Sequence, residues 1–262
     1  MVERSVCPLS RVSMRPMHRY MAFLAFCMAW PVWGELPARE YEKRVSTVRR
    51  TKGFAALWDF VKREANGERF DAWKPERETA DLRLDASNYV QQYWGEGRAA
   101  AYRDIPLIAE GPFGQAVVFR QENEPDFRPL LLVPRERLHG SIVDVKGPGR
   151  SVTLVVWLKR TAESGTHAIA GIWHEGTDLK DHGTAAKRVE RGRRQYALFG
   201  GLAANPGASA GHVSNNGASS FGDKYARHMA VTKEKIPLGE WASIAMVFDN
   251  ARDRVTCFVN GK

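Results

Sequence analysis

Residues 151–160 read SVTLVVWLKR, and no other stretch limits the possible folds of this chain so tightly. Val152, Leu154, Val156 and Leu158 fall on one side of an extended backbone; Thr153, Val155, Trp157 and Lys159 fall on the other. β-Branched and aromatic residues dominate, neither proline nor glycine interrupts, and a period of two fits better than one of about 3.6. Residues 241–249 (WASIAMVFD) repeat the pattern, and after a short turn so do residues 254–260 (RVTCFVN). Strands of this kind with turn chemistry between them predict an all-β sandwich. The 262 residues leave room for one large β-domain plus attachments, since sandwiches run to ~200–250 residues as single units. Apolar content of 44% and charged content of 26% exclude a chain disordered throughout.

Residues 1–34 have the order of an export signal. Arg4, Arg11, Arg15 and Arg19 precede an apolar run over 20–33 (YMAFLAFCMAWPVW), shorter than the ~20 residues that a spanning helix needs. Val32 and Gly34 stand three and one positions before a cut ahead of Glu35, with Met14 and Met17 as alternative starts. An uncleaved anchor or a buried helix is the competing reading. The expectation is a signal peptide over 1–34 and a secreted chain, extracellular or in the periplasm or cell envelope, with no transmembrane segment after signal removal. Of the net charge of +9, the four arginines against Glu3 place +3 in the leader and leave +6. That excess favours acidic partners, but no nucleic-acid motif accompanies it. Cys7 and Cys27 lie in the leader, so Cys257 alone remains, with no CxxC pair and no Cys/His zinc pattern. Its place in an alternating strand suits a small buried hydrophobe.

Residues 35–53 are charged and poor in large apolar side chains, which predicts a linker or a short exposed helix. Residues 54–61 (FAALWDFV) read as the first strand, and 54–262 as the β-domain. Further strands are expected over 115–120, 130–133, 167–173 and 196–199, with turns at 111–114 and 147–149. Residues 174–195 form a long loop, and 200–220, rich in Gly, Ala, Ser and Asn, read as loops around a short strand at 212–214. Trp58, Trp157 and Trp241 are expected in the core. Asn260-Gly261 is a type I′ hairpin signal with no returning strand, from which an incomplete product is expected; the alternative is an incidental Asn-Gly at a strand bordering solvent.

The segments SVTLVVWLK (151–159), GEWASIAMVFD (239–249) and RVTCFVNGK (254–262), with FGQAVVF (113–119) ahead of them, resemble the laminin G-like group of the concanavalin A-like lectin/glucanase superfamily. The resemblance implies a two-sheet antiparallel jelly roll and a closing region after Asn260-Gly261 that this chain lacks. It also implies calcium at the sheet rim, for which Asp178, Asp181, Asp249 and Asn250 are the candidate oxygen ligands.

Glucanases of that superfamily carry alternating carboxylates on one strand, and a retaining pair stands ~5–5.5 Å apart. Glu122, Glu124 and Asp126 alternate, but beside Pro125 in a hydrophilic loop. No Gly-x-Ser-x-Gly elbow, Walker loop or His-Glu-x-x-His occurs. Carbohydrate binding uses aromatic platforms beside hydrogen-bonding groups, and Trp173, His174, Glu175 and Tyr196 flank the long loop. Arg191, Arg193 and Arg194, within KRVERGRR, offer bidentate guanidinium contacts to an anionic glycan. The expected function is a secreted, non-enzymatic module that recognises carbohydrate through rim loops. A glycoside hydrolase or polysaccharide lyase on the same scaffold is one alternative. A protein–protein adhesion domain that meets a cell-surface or extracellular protein is another.

Overall fold

Helix α1 (Ala38–Arg49) opens the described part of the chain. The computed structural model describes residues 36–64, 69–120, 123–163, 165–173, 194–202, 204–214 and 228–262; the leader and most of 174–195 lie outside them. Tyr41, Val45 and Val48 recur at helical spacing and bring one stripe of α1 onto Leu57, Phe113 and Trp73. Of the linker or short exposed helix expected over 35–53 a helix forms, and the correction is to its exposure: burial of this stripe, with Val45 at its centre, ties the segment down.

Residues 54–61 form no strand, only a bridge between Leu57 and Trp73. The cause is the buried carboxylate of Asp59. Its Oδ1 accepts the amides of Val61 and Lys62, each at 2.9 Å. Its Oδ2 accepts from Tyr41 Oη at 2.8 Å and from Trp73 Nε1 at 2.7 Å. A side chain that takes up nearby amides competes with a ladder, and Phe60 is bent to a φ of 60° beside it.

Short elements follow: β1 (Asp85–Asn88), α2 (Tyr89–Trp94), β2 (Leu107–Ile108), β3 (Ala116–Val117), β4 (Pro129–Leu132) and α3 (Arg135–Leu138). β1 pairs with β4 and β2 with β3, both antiparallel. The strand expected over 115–120 therefore shrinks to two residues. A second buried polar side chain, Asn88, holds this region together. Its Nδ2 donates to the carbonyls of Arg98 and Asp126, both at 2.8 Å, and its Oδ1 accepts the amides of Val90 and Arg128. In the same region six charges close a ring, in which Glu64, Arg83, Asp81, Arg137, Asp85 and Arg69 alternate in sign with separations of 2.5–3.4 Å.

The large sheets begin at β5 (Val152–Lys159), far from the expected start at Phe54. They continue through β6 (His167–Trp173), β7 (Arg194–Leu202), β8 (Asn205–Val213), β9 (His228–Lys235), β10 (Trp241–Asp249) and β11 (Arg254–Val259). One sheet has the order β11-β10-β5 and the other β6-β7-β8-β9, with every neighbouring pair antiparallel. Between them Tyr196, Leu198, Val213 and Ile236 meet Ala242, Ile244, Met246 and Val259, flanked by the inward row Val152, Leu154, Val156 and Leu158. Antiparallel layers around one apolar core fit an all-β sandwich.

β8 replaces the loop expected over 205–211 and takes in most of the short strand expected at 212–214; residues 215–220 lie outside the described residues. Its small residues let the sheets approach closely: a Cβ on Gly211 would lie 2.8 Å from Cβ of Met246 and 3.0 Å from Sγ of Cys257. Strand β9 was not foreseen. The core assignment of Trp157 is also corrected. With Val156 and Leu158 facing inward, its ring must face outward, where it is 39% exposed and meets Phe113 edge-on at 5.9 Å. Trp58 and Trp241 are half-buried, their indoles donating to the Leu82 carbonyl at 2.9 Å and to Glu110 Oε2 at 3.3 Å. Asn260 and Gly261 both have positive φ, 50° and 77°, as the expected turn requires. Among the described residues no helix is long and apolar enough to cross a membrane.

Candidate functional site

The alternation of β7 decides which side chains can form a site. Tyr196 and Leu198 point into the core, so Ala197 and Phe199 point to the far face of the four-stranded sheet. Register then sets Ala197 opposite His212 and Phe199 opposite Ala210, with Ala210 in turn opposite Val231. At the end of β6 a shift in register follows Ile172, and Gly171 at φ 141° accommodates the irregular pairing, since a Cβ there would sit 2.3 Å from the Tyr196 carbonyl oxygen. Ile172 packs with the core and Trp173 with the far face.

The result is a three-ring cluster. Trp173 stands edge-on to His212 at 5.1 Å and to Phe199 at 6.2 Å, while Phe199 and His212 lie 5.0 Å apart. His212 and Phe199 are buried, but Trp173 keeps part of its surface open, and Met229, opposite His212, is exposed. At 2% exposure His212 backs the cluster from below, so the surface it offers is that of Trp173 and Met229.

Of the residues expected to bind a ligand, Trp173 is at this cluster and Tyr196 is not. Tyr196 is 7% exposed in the inter-sheet core, and its hydroxyl donates to the Val143 carbonyl at 2.7 Å. Burial, together with the Asp144 charge, pushes its phenol well above the ordinary range. Its ring belongs to the core, and this corrects its assignment to a ligand patch. Arg194 opens β7 opposite Trp173. His174, Glu175, Arg191 and Arg193 lie outside the described residues, as do the calcium candidates Asp178 and Asp181.

Asp249 and Asn250, the other two calcium candidates, are occupied in local structure. Asp249 Oδ1 accepts the amide of Ala251 at 3.1 Å and caps the turn Asn250–Arg252, while Asn250 Oδ1 accepts the amide of Gly149 at 2.9 Å. Each of these oxygens therefore serves local structure, and Asp249 Oδ2 lies 3.6 Å from Arg252 Nε. Among the described residues no three His, Cys, Asp or Glu side chains come together to hold a metal ion. Glu124 and Asp126 lie in the expected turn, where Glu124 pairs with Arg98 at 3.5 Å.

Beneath the start of β7 Asp144 accepts from Gln195 Nε2 at 2.6 Å, from Lys146 Nζ at 2.8 Å and from the Gly140 amide at 2.9 Å. Burial alone would raise the pKa of this carboxyl, but these donors outweigh it and hold the group below its usual value. Burial pushes the Cys257 thiol up to about 11, and its Sγ donates to the Ala230 carbonyl at 3.4 Å. The sequence did not single out His212 and Phe199. Parity in YALF (196–199) carries the signal for Phe199, but His212 needs the pairing of β7 with β8.

No family model matches the chain, and no curated protein or solved structure matches it.

Proposed function

We propose that this chain is an exported, non-enzymatic recognition module, a jelly roll of the laminin G-like kind, that binds carbohydrate at the rim where β6 ends and β7 begins. The observation that carries the reading is Trp173. Its ring is held edge-on by His212 and Phe199 while part of it stays open, the arrangement that a sugar C–H face stacks on. The strands of that sheet carry a single carboxylate, Glu234, whereas a retaining hydrolase needs two at ~5–5.5 Å; this favours binding over turnover. The charged-then-apolar order of residues 1–34 supports export.

A glycan-array screen of the full chain, with and without calcium, tests the reading. The expected result is retention of one glycan class, weakened about tenfold in Trp173→Ala, a loss larger than the melting-temperature drop of a few degrees that its packing on Phe199 and His212 implies. Absence of any bound glycan overturns it, as does cleavage of a polysaccharide. Capture of a protein partner that survives deglycosylation puts the adhesion reading in its place.

A further inference from the structure

A cleft of about 450 Å³ opens where α1 ends, within the range of small-molecule sites. Arg49, Arg50, Lys74 and Arg77 line it together with the hydroxyl-bearing Ser46 and Thr51, and no carboxylate does. Two of the cations are held in place. The Arg49 guanidinium lies 5.0 Å from the centroid of the Trp73 ring, and Lys74 Nζ donates to the Ala80 carbonyl. The other two, Arg50 and Arg77, are exposed, and among the described residues no carboxylate comes within ion-pair distance of either. Arg44, Arg69, Arg83, Arg98 and Arg137, by comparison, each pair with a carboxylate.

The C-terminal end of a helix carries about half a negative charge, which attracts cations and repels anions. That effect accounts for Arg49 and Arg50. It does not account for Lys74 and Arg77, which come from a separate segment, and four whole charges outweigh the half charge. Mutual repulsion among the four is relieved when an anion enters, and arginine forks with adjacent hydroxyls match tetrahedral oxyanions.

We infer that this cleft binds a compact ligand carrying two or more phosphate or sulfate groups. The site goes beyond the proposed carbohydrate rim, and a neutral sugar is not expected to enter it, so the two readings fail separately.

Isothermal titration calorimetry on the full chain tests it, with inorganic pyrophosphate, a disulfated disaccharide and the unsulfated disaccharide as probes. At least one of the two anions is expected to bind, and the tighter one identifies phosphate or sulfate as the source. Binding weakens as salt rises from about 0.05 M to about 0.5 M. The double variant Arg50→Ala, Arg77→Ala is expected to lose about tenfold or more in affinity. Because both side chains are exposed, its melting temperature should stay at the wild-type value. The charge-matched control Arg252→Ala, Arg254→Ala should keep wild-type affinity. The inference is overturned if neither anion binds the wild-type chain, if the first double variant binds as well as wild type, or if the control loses as much.

Discussion

The residues before β5 and the sheets from β5 onward solve one problem, removing backbone from water, in different ways. From Val152 to Val259 the ladders do it, and alternation sends every second side chain into a shared apolar layer. From Ala38 to Leu138 ladders are short, and polar side chains stand in for them. Asp59 accepts four hydrogen bonds, Asn88 makes four, and a ring of three carboxylates and three arginines ties distant loops together. The first solution tolerates exchange of one apolar residue for another of its size. The second does not, because each buried polar atom depends on a particular partner.

The sharpest way to break this comparison is at Asp59. Asp59→Ala leaves the Tyr41 hydroxyl, the Trp73 indole and two amides without their acceptor, and a loss of about 4 kcal/mol is expected in denaturant unfolding. A loss under ~1 kcal/mol would mean that the region does not rest on its polar pegs. Next comes the sandwich itself. Ile244, fully buried, should cost about 3 kcal/mol as Ile244→Ala, whereas Val155→Ala on the open face, 43% exposed, should cost under ~0.5 kcal/mol. Equal costs would erase the distinction between faces. The smallest effect sits where the regions meet: Trp157→Ala removes the edge contact with Phe113 and should cost about 1 kcal/mol, well below a core tryptophan.

This contrast also explains what could be read from the sequence. A period of two is a strong local signal, so β5, β10 and β11 were legible, as was the turn at Asn260-Gly261. Strand β8 was not, because its run of small residues lacks the usual alternation and Gly211 is there for the close approach of Met246 and Cys257 from the second sheet, which no local pattern records. Trp157 was misplaced by reasoning from residue type where parity already had the answer. Before β5, Asp59 and Asn88 act through partners up to 40 residues away, so neither their burial nor the failure of 54–61 as a strand could be seen locally. At the candidate site Trp173 was legible as an aromatic beside a long loop. Tyr196, two residues into the next strand, was assigned to the same patch although alternation sends it through the sheet.

The central claim is that charge and polar partners hold the first region while apolar burial holds the second. Hydrogen bonds from Arg83, above all, and then from Arg137 hold the Asp81 carboxyl far below its ordinary range against the opposing effect of burial, and Arg98 likewise lowers Asp104. A carboxyl depressed in the folded state adds stability above its unfolded value of about 3.9 and loses it as pH falls toward the folded value. Hydrogen exchange resolved by residue, expressed as protection factors from about pH 6 down to about pH 3, tests this directly. The amides of Leu57, Trp73 and Leu84, each bonded at 2.9 Å across the first region, should lose protection on acidification, while those of Val156 and Ile244 keep theirs. If the strand amides open first, or all five open together, the division of the molecule into these two regimes is contradicted.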